Sequence, residues 1–77
     1  MDKHDRWKRL DVLLTSALQA EDQRLPPHDA EVIRDYIDNR EYGLAYEHFK
    51  YTLDAEHIAA TKETEAALQG AADLMNL

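Results

Sequence analysis

Apolar side chains in this chain recur at intervals of three and four, and no stretch alternates with period two. An amphipathic α-helix needs that spacing, and a half-buried strand cannot use it. Trp7, Leu10, Leu14 and Ala17 with Leu18 predict a first helix over roughly 4–21. Asp5, Lys8, Arg9 and Asp11 fall mostly on its other side. Leu25-Pro26-Pro27 ends the run, because a residue before proline is pushed out of helical geometry and proline lacks a backbone donor. A second helix is expected to begin at His28 or Asp29. Asp29 is its expected cap, and Glu31 adds negative charge near its positive end. Val32, Ile33, Tyr36 and Ile37 form its expected buried stripe.

Asn39 and Arg40 suit the end of that helix. Asn tolerates left-handed geometry, and Arg complements the terminal carbonyls. A third helix is predicted over roughly Glu41 to Leu53, with Tyr42, Ala45, Tyr46, Phe49 and Leu53 turned inward. Gly43 falls in its first turn, where the missing side chain is expected to permit close approach of another helix. Residues 54–61 read as a loop anchored by Ile58. Thr61 is the expected cap of a fourth helix over roughly 62–75, with Leu68, Ala71 or Ala72, and Met75 inward. Its alanines imply a thin helix lying close to its neighbours. The predicted fold is therefore all-α, one small domain over 1–77, a bundle of four short helices, antiparallel where linkers are short. Trp7, Leu10, Leu14, Ile33, Ile37, Ala45, Phe49, Leu53 and Leu68 are its expected core.

Size and composition narrow the function. At 77 residues the chain is near the lower end of what buries a self-sufficient core, and with no cysteine it has neither disulfides nor a thiolate metal cluster to supplement one. No apolar run has the length of a signal peptide core or a membrane span. A cytoplasmic protein is the expectation.

Charge is unevenly spread. Residues 1–28 balance to zero, whereas residues 29–57 carry eight acids against three bases, and the whole chain is at −7. An acidic middle repels phosphate backbones and anionic lipid, so neither nucleic acid nor membrane is an expected partner. A basic protein is. All four tyrosines, Tyr36, Tyr42, Tyr46 and Tyr51, lie in that middle segment, and tyrosine is enriched at interfaces. The expected partner-binding residues are Asp35, Asp38, Glu41, Leu44, Glu47, His48, Tyr51 and Asp54. Leu44 and Tyr51, seven apart, fall within about 20° of each other on a helix, flanking Glu47 beside the core stripe. Burial of that stripe beneath the first or fourth helix is the alternative.

Three other chemistries are set aside. His48 and His57, with Glu47 and Asp54, lack a compact metal-ligand spacing, so no metal or cofactor is expected. A bundle this small offers little room for a substrate cavity, so neither catalytic residues nor an enzyme are expected. The Trp7-x-x-Leu10 spacing and the Tyr42-to-Phe49 run resemble a tetratricopeptide helix pair only faintly, and the repeat is missing.

The segment Asp38-Asn39-Arg40-Glu41-Tyr42-Gly43-Leu44-Ala45-Tyr46-Glu47-His48-Phe49 resembles the central signature of the MafI family of bacterial immunity proteins. The resemblance covers mainly Glu31 to Leu77, is densest over Tyr36–Leu53, and extends to Leu68-Gln69-Gly70-Ala71-Ala72-Asp73-Leu74-Met75. Its matching residues are chiefly apolar scaffold, and it carries no contact motif onto particular positions. It implies a small helical protein encoded beside a polymorphic toxin, many of whose toxic domains are nucleases. The expected partner is then the cognate toxin's C-terminal domain, basic and nuclease-like. A small acidic helical adaptor or regulator of another protein is the alternative, and nothing in the sequence indicates a homo-oligomer.

Overall fold

The computed structural model describes residues 2–77. It contains four helices and, among the described residues, no strand: α1 (Lys3–Glu21), α2 (Pro27–Asp38), α3 (Tyr42–Ala55) and α4 (Lys62–Met75). The all-α expectation is met. Helix α4 has the bounds its periodicity predicts, and Thr61 caps it, its hydroxyl accepting from the Thr64 N–H at 3.1 Å. Helix α1 is capped by Asp2, whose carboxylate accepts from the Asp5 N–H at 2.9 Å.

Helix α2 starts differently from expectation. Pro26 holds the cap position and Pro27 the first turn, where a missing N–H removes only a donor that would be orphaned anyway. Asp29 makes no cap; its carboxylate is turned to His48 of α3. Helix α3 begins one residue later than expected and runs on through Ala55, so only residues 56–61 link it to α4.

Three helices end in the Schellman motif, each with a non-glycine residue in left-handed geometry. After α2, Arg40 at φ 59° donates to the Ile37 carbonyl and Glu41 to that of Tyr36. After α3, His57 at φ 55° donates to Asp54 and Ile58 to Leu53. After α4, Asn76 at φ 61° donates to Asp73 and Leu77 to Ala72. Asn39 is thus not the left-handed residue. It stays at φ −93°, its side-chain amide donating to the Asp35 carbonyl at 2.8 Å. Nor does the Arg40 side chain serve the helix end, since its guanidinium lies 5.2 Å from the Trp7 ring centre. A left-handed conformation costs an L-residue about 1–2 kcal/mol, and glycine escapes most of that. His57→Gly, at an exposed position, is expected to raise the melting midpoint by about 4 °C. An unchanged or lower midpoint would show that the imidazole stabilises the turn by other contacts.

The helices form two pairs, α1 against α4 and α2 against α3. The C-terminal end of α1 meets the start of α4 through Glu21 and Thr61, and Trp7 and Leu10 near its beginning share a depression with Leu74 and Met75, so that pair is antiparallel. The smallest dimension of the molecule, 18 Å, is about two helix diameters, which leaves room for one apolar layer between the pairs. Leu10, Leu14, Leu18, Ile33, Ile37, Ala45, Phe49, Leu53 and Leu68 are buried in that layer. Trp7 belongs to its edge: it is half-buried, with Lys3 and Arg40 over its ring, and Tyr46, Val32 and Tyr36 are half-buried too. Ala71 and Ala72 both face inward, joined by Ala67 and Thr64, while Met75 is half-buried against the core and Ile58 anchors the last linker.

The close helix approach occurs at Gly70 instead of Gly43. A methyl group at Gly70 would lie 3.3 Å from Leu13 Cδ1, whereas at Gly43 nothing lies within 4 Å. Gly43 sits on the exposed side of α3's first turn, so its missing side chain serves no packing. Tyr42 beside it is buried against α1, its hydroxyl reaching Asp11 Oδ2 at 3.4 Å. Burial first, and the nearby Asp11 charge second, push that hydroxyl's pKa up.

Candidate partner-binding face

Helix α3 divides by its own periodicity. Tyr42, Ala45, Phe49, Thr52 and Leu53 are buried, and Leu44, Glu47, Tyr51 and Asp54 on the opposite side are exposed. Leu44 is 48% exposed and Tyr51 68%, so neither α1 nor α4 covers the stripe. A large apolar residue and an aromatic ring therefore stand in solvent at a seven-residue spacing, with one carboxylate between them and another a turn beyond. On α2, Asp35 and Asp38 are exposed, with Glu31 on the same outer side. Glu41, in the turn, is exposed too.

His48 differs from its neighbours. Its side chain is only 27% exposed, and Nε2 lies 3.0 Å from Asp29 Oδ1 on α2. That contact joins the two helices and orients the imidazole. The ring also meets Tyr36 of α2 edge-on, with centroids 6.3 Å apart and planes at 60°, and Tyr51 of α3 at 6.3 Å and 48°. Tyr36, His48 and Tyr51 thus form a row of rings across the α2–α3 seam. His48 is thus held in place by α2, with 27% of its side chain left in solvent. Asp29 and Tyr36 were missing from the expected set. Their seven-residue spacing on α2, which puts both on one helical face, was the available signal.

Two bases of the acidic segment approach other groups. Arg34 Nη2 lies 4.0 Å from Asp22 Oδ1, and Lys50 Nζ lies 5.9 Å from the Tyr46 ring centre. His57 is remote in role, occupying the left-handed turn after α3. Among the described residues no three His, Asp or Glu side chains converge to hold a metal ion. No helix among them is long and apolar enough to cross a membrane.

Comparison with protein-family models, with curated proteins and with solved structures gives no match to this chain.

Proposed function

We propose that this chain is a non-catalytic inhibitor, an immunity protein that acts in the cytoplasm by binding the basic toxin domain encoded beside it. One observation carries the reading: Leu44 and Tyr51 stand exposed on α3 on the same side as the carboxylates of Glu47 and Asp54. Apolar anchors flanked by acids suit a protein partner with a basic surface. A nuclease has such a surface, because gripping a phosphate backbone requires Lys and Arg around the cleft. Opposite fields accelerate encounter, and desolvated anchors slow release. Inhibition of this kind needs no reaction by the inhibitor.

The deciding experiment co-expresses the chain with the C-terminal domain encoded by the neighbouring gene. Growth is expected to be restored where that domain alone kills; killing undiminished by the chain overturns the proposal. Tyr51→Ala then locates the surface. With two-thirds of its side chain in solvent, the variant should melt close to the parent and bind the toxin domain at least about tenfold more weakly, or about 1.4 kcal/mol. Unaltered binding by the folded variant would place the partner on another face.

A further inference from the structure

Aromatic rings elsewhere in the molecule already carry cations of the same chain. Lys3 Nζ lies 4.9 Å and Arg40 Cζ 5.2 Å from the Trp7 ring centre, and Lys50 lies over Tyr46. Among the described residues, the rings of Tyr36, His48 and Tyr51 have none. These three form the row across the α2–α3 seam, in the most acidic part of the chain. The hydrogen bond to Asp29 fixes the middle ring, and the outermost ring is mostly in solvent.

We propose that this row is a docking site for an arginine side chain of the partner protein, its guanidinium stacked on Tyr51 and meeting Glu47. The proposal rests on the reading of this face as the partner-binding surface, and names what that surface recognises. The face of an aromatic ring attracts a cation through its quadrupole. Glu47 lies four residues before Tyr51 on the same exposed side of α3, and Asp54 three residues after it, so carboxylates flank the ring along the helix. The three bases of the acidic segment, Arg34, Lys50 and Arg40, approach Asp22, Tyr46 and Trp7 in turn, which leaves this charge for a partner.

Arginine fits better than lysine for a physical reason. Its guanidinium is planar and weakly hydrated, so one side can stack while its N–H edge bonds a carboxylate. An ammonium is a compact, strongly hydrated charge that gains less from a ring. A purely apolar anchor would leave the flanking carboxylates unanswered, and a phosphate would be repelled by them.

The test titrates the intact chain, by calorimetry, with a capped hexa-arginine peptide and a capped hexa-lysine peptide of equal charge at low salt. The arginine peptide is expected to bind at least about fivefold more tightly, with shifts in the ring resonances of His48 and Tyr51. Tyr51→Phe, which keeps the ring, should retain the preference. Tyr51→Leu should bring the two peptides to parity while keeping affinity for the lysine peptide, since charge alone supports that binding. Equal affinities in the parent chain, or an arginine preference that survives Tyr51→Leu, would overturn the site. Neither peptide is a toxin, so the outcomes separate. An arginine preference with failed rescue retires the immunity reading alone, and rescue without a preference retires the arginine site alone.

Discussion

Phe49→Ala is expected to lose about 3–5 kcal/mol of folding stability, the largest effect of any single substitution considered for this chain. Phe49 has no exposed surface and sits where α3 faces the core layer between the two helix pairs. Truncation removes the transfer free energy of a full aromatic side chain and leaves a cavity that the surrounding Leu and Ile side chains fill only partly. A domain of this size has a total stability on the order of 4–12 kcal/mol, so the variant should sit near its unfolding threshold at ambient temperature. Urea titration followed by circular dichroism measures this directly. A midpoint shared with the parent would mean that Phe49 is not central to the packing. Tyr51→Ala, two residues along the same helix, is the internal contrast: similar truncation at an exposed position should barely move the melt.

Glu21→Ala is expected to cost about 2–3 kcal/mol, through hydrogen bonding instead of apolar packing. Glu21 is fully buried at the end of α1, yet every polar neighbour has a role. Its Oε2 accepts from the Thr61 N–H at 3.0 Å, and its Oε1 accepts from Arg24 Nε at 2.9 Å. The Thr61 hydroxyl in turn donates to that of Thr64 at 3.1 Å, in the first turn of α4. The carboxylate thus sits at the positive N-terminal end of α4 and ties α1 to it. Alanine would strand the Thr61 N–H without its acceptor. Arg24, 44% exposed, would turn to water and add little to the loss.

The same residue makes stability depend on pH in a defined direction. Burial alone would raise the Glu21 pKa, but the donors from Thr61, Thr64 and Arg24 together outweigh it and hold the group below its ordinary value of 4.5. A carboxyl depressed in the folded state stabilises fully above its unfolded pKa and loses that contribution as pH falls through the folded one. Comparing the parent with Glu21→Gln isolates this group from the other carboxylates. The stability difference should hold constant at neutral pH and shrink as the solution is acidified below about 4.5. A difference that stays constant down to strongly acid pH would show that the charge of Glu21 contributes nothing.

Local chemistry determined much of this protein from the chain alone. The three-and-four spacing gives the helices, the double proline separates α1 from α2, and Thr61 sets the start of α4, because each acts through its own or adjacent backbone. The same periodicity placed Phe49 inside and Tyr51 outside, since those positions differ in direction on one helix. Tertiary structure decided whatever depends on a partner distant in sequence. Asp29 has the composition of a cap, but His48, nineteen residues away, takes its carboxylate once α2 and α3 pair. Gly43 and Gly70 look alike as letters, and only the approach of Leu13 makes Gly70 the one whose side chain would be crowded. Glu21 reads as one more surface acid on an acidic chain until Thr61, forty residues on, donates to it. Periodicity says which way a side chain points, and only the assembled helices say what it meets there.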